Sequence, residues 1–77
     1  MADPRITLYT RPGCHLCEDA KAALVRIGEP WTEVDIEGDT ELEGEYGEMI
    51  PVIMVDGRMH GYFRVEPERL LRDLRRG

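Results

Sequence analysis

A strand pattern and a helix pattern meet at one Pro-Gly turn near the start of the chain. Residues 5–9 alternate and are rich in strand-forming side chains, and Pro12-Gly13 ends that pattern in a turn. From about His15 to Ile27, apolar residues recur at spacings of three and four, and Gly28 marks the end of the pattern. The beginning of the chain is therefore predicted to form a strand, a loop and an amphipathic helix.

The remaining patterns indicate three more strands and a closing helix. Asp56-Gly57 is a favoured hairpin turn between two of these strands. The acidic run 37–47 contains three glycines and is predicted to hold at most a short helix, around residues 41–46. Residues 66–76 begin with acids and end with arginines, as a helix dipole favours. The further strands are predicted at residues 31–36, where alternation indicates one buried face, 50–55 and 58–62.

This order of elements predicts an α/β fold. The first strand, helix and strand should form a right-handed parallel crossover, and the hairpin should add an antiparallel pair. We expect one domain over residues 1–77, with a mixed four-stranded sheet flanked by about three helices. A chain of 77 residues leaves room for one active site and little else.

Charge and hydropathy exclude several classes of partner. The net charge is −6, and nine carboxylates with no Lys or Arg lie between residues 29 and 48, whereas six arginines lie between residues 58 and 76. Nucleic acid is not expected as a partner, because the acidic segment lies too close to any basic face. The chain shows neither an apolar leader nor a membrane-spanning run, so we expect a cytoplasmic protein without membrane contact. We also expect a monomer.

Cys14 and Cys17 carry the clearest chemical signal. Disulfide exchange needs an exposed thiolate and a second thiol that resolves the mixed disulfide. Amide groups at the predicted helix start would stabilise negative charge on Cys14, and Cys17, one turn further, should be more shielded. Arg11 and His15 flank the pair and add positive charge. The spacing predicts a redox-active Cys14–Cys17 disulfide.

Two alternative readings of the cysteines are weaker. A structural zinc site would need a second pair of ligands, but outside the motif only His60 is a suitable donor. Cysteines that merely pack in a core would not be expected on a Pro-Gly turn at a helix start. We therefore expect neither a metal nor another bound cofactor.

Residues 8–17, Leu-Tyr-Thr-Arg-Pro-Gly-Cys-His-Leu-Cys, resemble the active-site segment of glutaredoxins. The form Cys-His-Leu-Cys-Glu-Asp-Ala is similar to short bacterial glutaredoxin-like proteins of the thioredoxin superfamily, and the similarity covers nearly the full chain. The resemblance implies a thioredoxin-like fold with a cis bond between Ile50 and Pro51, facing Cys14. It also implies that Ile50 and Pro51 position an extended substrate.

The same resemblance bears on glutathione. Arg11 matches the basic residue that glutaredoxins use for the glycine carboxylate of glutathione, and Leu16 stands where many of them carry tyrosine. His15 and Leu16 are expected to contact substrate together with Arg11. Tyr62 and Arg64 depart from the glycine and the acidic residue that glutathione-binding members have there.

The sequence thus predicts a thiol–disulfide oxidoreductase acting by a dithiol mechanism on protein or low-molecular-weight disulfides. Its reductant would be glutathione or a thioredoxin-reductase-type system. Two alternatives remain open at this point: a non-catalytic redox-sensing or partner-binding module on the same fold, and a glutathione-linked deglutathionylating enzyme.

Overall fold

The chain folds into four strands and three helices. These are seen in a computed structural model, which describes residues 4–76. In chain order the elements are β1 (Ile6–Thr10), α1 (His15–Ile27), β2 (Trp31–Asp35), α2 (Thr40–Tyr46), β3 (Val52–Val55), β4 (Arg58–Tyr62) and α3 (Pro67–Arg76). Among these residues, no helix is both long and apolar enough to cross a lipid bilayer.

The four strands form one mixed sheet in the order β2-β1-β3-β4. β1 runs parallel to β2, with Ile6 opposite Trp31, as expected for a strand–helix–strand crossover. β3 is antiparallel to both β1 and β4, and the Asp56-Gly57 turn joins β3 to β4. The predicted mixed four-stranded sheet with three helices is confirmed.

Helices cover both faces of this sheet. Leu8 of β1 packs with Leu24 of α1 and Leu70 of α3, and all three side chains are at most 1% exposed. Tyr9 points to the opposite face, because neighbouring side chains of a strand alternate. There the centroid of its ring lies 5.1 Å from the ring centroid of Tyr46, the last residue of α2. The main core therefore lies between the sheet and the α1/α3 pair.

The edge strand β2 differs from its predicted pattern. Trp31 and Val34 are both only half-buried, and they lie on opposite faces because they are three positions apart along the strand, an odd number. The prediction of one buried face is wrong. An edge strand in a sheet with helices on both sides is only partly covered on each face, and full burial begins at Ile36, just beyond the strand.

The predicted helix ends are confirmed at α1 and closely matched at α2. Gly28 follows α1 with φ at 83°, a left-handed conformation that glycine adopts without steric cost, and its amide donates to the carbonyl of Leu24. α2 begins at Thr40, one residue before the predicted start. Oδ1 of Asp39 accepts a hydrogen bond of 3.1 Å from the amide of Leu42 and caps the helix.

Candidate functional site

Cys14 lies where the loop after β1 enters α1. Its backbone is extended, with φ −97° and ψ 111°, and it is the residue that caps the helix. The Cys14 sulfur accepts a hydrogen bond of 3.1 Å from the backbone nitrogen of Cys17. Gly13, with φ at 76°, provides the left-handed turn that brings the chain into this position. The Cys14 residue is partly exposed, so a disulfide in solution has access to this part of the surface.

Cys17 is one turn further into α1 and has a different environment. It is 1% exposed and packs with Ile36 and Ile50. Burial raises the pKa of the Cys17 thiol to about 11, with a further contribution from its hydrogen bond with the Cys14 side chain. The backbone amide of Arg11 acts in the opposite direction but is the smaller influence. At neutral pH, Cys17 is therefore a shielded, protonated thiol beside a more accessible one.

The segment before β3 completes the wall around the cysteines. The Ile50–Pro51 peptide bond is cis, as the resemblance implied. Ile50 is buried, and Cys14 packs against the same apolar cluster. The ladders of β3 with β1 and β4 begin at Val52, so the sheet pairing does not engage Ile50. The structure thus brings Cys14, Cys17, Ile50 and Pro51 together at one end of the sheet.

The remaining predicted substrate contacts are less tightly grouped. Arg11 is exposed, and its Nη2 donates a hydrogen bond of 3.1 Å to the carbonyl of Gly47, after α2. This contact directs the guanidinium toward the end of α2. His15 and Leu16 lie exposed on the first turn of α1. Contact between these three residues and a substrate stays a prediction.

A polar network that the sequence analysis missed fixes the end of β1. Thr10 is 2% exposed, and its Oγ1 donates a hydrogen bond of 2.7 Å to Oε2 of Glu33 on β2. The same carboxylate lies 2.9 Å from Nζ of Lys21 on α1. The contacts with Lys21 and Thr10 lower the pKa of Glu33. Since Thr10 directly precedes the loop that carries Cys14, this network ties the loop to a strand and a helix.

A second missed feature is an aromatic pair beside the cis proline. The amide of Phe63 donates a hydrogen bond of 2.8 Å to the carbonyl of Pro51. The rings of Tyr62 and Phe63 meet edge to face with centroids 4.9 Å apart, and both residues are about half exposed. Phe63 has φ at 70°, which is rare for an aromatic residue. Tyr62 and Arg64 stand out in the sequence as departures from the glutathione-binding pattern, whereas no sequence pattern marks Phe63 between them.

His60, the donor considered for a zinc site, is engaged elsewhere. Its Nε2 lies 2.7 Å from Oδ2 of Asp73, which connects β4 to α3. Within residues 4–76, no group of three or more His, Cys, Asp or Glu side chains is arranged to hold a metal ion.

Comparison with known proteins agrees with this architecture. A protein of Mycobacterium tuberculosis described as uncharacterized is 32% identical over 85 aligned positions, which span 99% of this chain and 88% of that protein. The X-ray structure of protein XcR50 from X. campestris superposes with a TM-score of 0.80 at 34% identity, covering 94% of this chain and 97% of that one.

Structures with more distant sequences share the fold. Glutaredoxin C1 from Populus tremula x tremuloides matches with a TM-score of 0.64 at 16% identity, over 96% of this chain and 77% of that one. This likeness confirms the predicted thioredoxin-like architecture. Residues 5–75 match the family model described as Glutaredoxin-like domain (DUF836), which is almost the whole chain. The chain belongs to this glutaredoxin-like family.

Proposed function

We propose that the protein is a thiol–disulfide oxidoreductase with Cys14 as the nucleophile and Cys17 as the resolving thiol. One observation carries this proposal. Cys14 is a partly exposed residue whose sulfur accepts an amide hydrogen bond at a helix start, while Cys17 is a buried residue one turn away. Disulfide exchange needs one accessible thiolate and one nearby thiol held in reserve.

The first step is attack on the substrate disulfide. The Cys14 thiolate attacks one substrate sulfur, a Cys14–substrate disulfide forms, and the substrate S–S bond breaks. The departing substrate sulfur leaves as a thiolate and takes a proton from water. Amide groups of the first turn of α1 stabilise the anionic sulfur before attack, because the first helical amides lack partners within the helix.

The second step resolves the mixed disulfide. Cys17 loses its proton to solvent, and its thiolate attacks the Cys14 sulfur. A Cys14–Cys17 disulfide forms, and the second substrate thiolate leaves and is protonated. The two cysteines have then given up two electrons, and the substrate disulfide has become two thiols. Burial is the largest cause of the raised pKa of Cys17 and does not depend on the Cys14 thiol, so deprotonation of Cys17 makes the second step strongly dependent on pH.

Substrate is positioned by the segment that faces the cysteines. The backbone of Ile50 is outside the β3 ladders, so it can pair with an extended segment of substrate. Buried packing of Ile50 with Cys17 keeps this backbone at a fixed place relative to the sulfurs. The Cys14–Cys17 pair carries the electrons, so the reaction needs no bound cofactor.

An external thiol must reduce the enzyme disulfide after each turnover. Glutathione and a thioredoxin-reductase-type protein are the two candidates, and the reducing cytoplasm holds both classes. Arg64 would repel the ammonium group at the γ-glutamyl end of glutathione, and Tyr62 would add bulk there. We therefore favour a protein dithiol as the reductant.

Trapping the mixed disulfide tests the proposal. Cys17→Ser should accumulate a covalent adduct with a disulfide-containing protein such as insulin, and Cys14→Ser should form none. The wild type should reduce insulin catalytically with dithiothreitol as the reductant, and both variants should lose this dithiol turnover. If Cys14→Ser reduces insulin as fast as the wild type, Cys14 is not the nucleophile and the proposal is wrong. If the wild type itself is no faster than dithiothreitol alone, a non-catalytic redox-sensing module becomes the better description.

A further inference from the structure

Three large apolar side chains are exposed at the edge of the cysteine site. Leu16 and Tyr62 are each 48% exposed, and Phe63 is 45% exposed. Leu16 and Phe63 line the same groove between α1 and the segment after β4, and the Tyr62 ring contacts the Phe63 ring. We call Leu16, Tyr62 and Phe63 the apolar rim.

The apolar rim is joined to the two segments that carry the cysteines and the cis proline. Leu16 lies between the two cysteines in the sequence, on the first turn of α1. On the other side of the groove, Phe63 is hydrogen bonded through its amide to the carbonyl of Pro51. Pro51 follows Ile50, whose cluster includes Cys14. A segment bound along Ile50 would therefore lie close to Phe63, and Leu16 is two positions after the attacking cysteine.

The backbone of Phe63 indicates that this exposure has a use. A left-handed conformation is disfavoured for a bulky aromatic residue, and such conformations concentrate at binding and active sites. In this case it presents the ring beside the groove without burying it. Exposed apolar groups that gather at one place are typical of contact surfaces, whereas scattered ones are ordinary.

The groove has the size and chemistry of a site for one apolar side chain. Its volume is about 280 Å³, below the roughly 300–1000 Å³ of pockets that enclose whole small ligands. Ala20, Ala23 and Val65 add to its apolar wall. Asp19 and Arg64 bring one charge of each sign, so net charge does not dominate its selectivity.

We propose that the apolar rim selects polypeptide disulfides in which a large apolar side chain flanks the cysteine that Cys14 attacks. The inference rests on the proposed function and names its substrate class. The side chain next to that cysteine would enter the groove between Leu16 and Phe63. A second copy of this chain is a poorer occupant, because on this rim it would cover Cys14 and block the reaction.

Two disulfide peptides and one small disulfide test the proposal. The peptides are cyclised by their two cysteines and differ only in the residue next to one cysteine, Leu or Ser, and the small disulfide is bis(2-hydroxyethyl) disulfide. The measurement is the rate constant for oxidation of the reduced wild-type protein. Burial of a leucine side chain changes a rate by roughly tenfold, so the Leu peptide should react about tenfold faster than the Ser peptide.

Matched variants locate the preference. Phe63→Asn should reduce the Leu/Ser ratio to about one and leave the rate with the small disulfide within about twofold, and Leu16→Gln should also reduce the ratio. Asn is chosen because it tolerates the left-handed backbone. Val25→Gln is the control: Val25 is 67% exposed on the same helix, about 14 Å from Leu16 by helical rise, and the ratio should stay near ten.

The outcomes distinguish the selectivity of the apolar rim from the oxidoreductase activity itself. Equal rates for both peptides in the wild type would show that the rim does not select apolar side chains, while leaving the oxidoreductase intact. Failure of all three disulfides to oxidise Cys14 would overturn the proposed function as well. A wild-type dimer in analytical ultracentrifugation that Phe63→Asn converts to a monomer would make the rim a self-association surface and contradict the inference.

Discussion

The sulfur of Cys14 accepts a hydrogen bond from the backbone nitrogen of Cys17 at 3.1 Å. One atom therefore has two roles: it caps α1, and in our proposal it attacks the substrate. The same contact links the two cysteines, since the residue that donates the amide hydrogen also carries the buried thiol. Stability and reactivity at this site should respond together to changes at position 14.

Removal of the cap should destabilise the fold. Cys14→Ala loses the hydrogen bond to the amide of Cys17, whereas Cys14→Ser keeps an acceptor at the same position. Serine at a helix N-cap is worth about 0.5–2 kcal/mol relative to alanine, so Cys14→Ser should be more stable than Cys14→Ala by that amount. Urea unfolding of both variants under reducing conditions measures the difference. Equal stabilities would show that the contact does not cap the helix.

Stability should fall on the alkaline side because of Cys17. Its thiol has a pKa of about 11 in the folded protein, against about 9 in the reference state, so the unfolded chain loses this proton first. The folded state then binds more protons, and the free energy of unfolding decreases as pH rises from about 9 to 11. A shift of two pKa units corresponds to roughly 2–3 kcal/mol.

Urea unfolding of the reduced protein between pH 8 and pH 11, compared with Cys17→Ala, isolates this contribution. The difference in stability between the two proteins should shrink across that range, because alanine has no proton to lose. A difference that stays constant with pH would contradict the burial of a protonated thiol at this position.

Glu33 should stabilise the fold above its pKa and lose that effect in acid. Contacts with Lys21 and Thr10 lower the pKa of this carboxyl below its ordinary 4.5. Its contribution is therefore complete at neutral pH and is lost as pH falls through the acid range. Because the Glu33 side chain is 38% exposed, solvent screening limits the effect, and Glu33→Gln should cost roughly 0.5–1 kcal/mol at pH 7.

A matched change in the same acidic segment serves as the control for Glu33. Glu37 is exposed, and Glu37→Gln should leave stability at pH 7 nearly unchanged. Thermal unfolding of both variants at pH 7 and pH 3 gives the comparison. If the cost of Glu33→Gln were the same at both pH values, the network with Lys21 would not depend on the charged carboxylate.

Local signals in the sequence were enough to predict most of the fold. The Pro-Gly turn, the apolar spacing of residues 16–27 and Gly28 all act within a few residues, and they predicted α1 as the structure has it. The Asp56-Gly57 turn did the same for the β3–β4 hairpin. The faces of β2 were not predictable in this way, because they depend on how far α1 and α2 extend over the sheet edge.

The candidate site was predictable only where its residues are neighbours in the chain or belong to the family motif. Cys14 and Cys17 follow from spacing, and the cis bond before Pro51 followed from resemblance. The network of Thr10, Glu33 and Lys21 joins three elements, and no local pattern reveals it.

Two further details of the site also depend on tertiary structure. The positive φ of Phe63 is disfavoured for an aromatic residue. It is accompanied by a hydrogen bond from the Phe63 amide to the carbonyl of Pro51, across the hairpin. The guanidinium of Arg11 was matched to a ligand carboxylate by resemblance. In the structure it is hydrogen bonded to the carbonyl of Gly47, which is distant in sequence.

Competition between the two thiols for an alkylating reagent tests the central claim most directly. The reduced protein is treated with limiting iodoacetamide at pH 7, and peptide mass spectrometry assigns the label, with an unstructured cysteine peptide as the reference. Cys14 should react faster than the peptide. A thiol with a pKa of about 11 is ionised to about one part in ten thousand at pH 7, so Cys17 should react at least about a hundredfold more slowly than the peptide. Equal labelling of Cys14 and Cys17, or a Cys14 rate no higher than that of the peptide, would contradict the account.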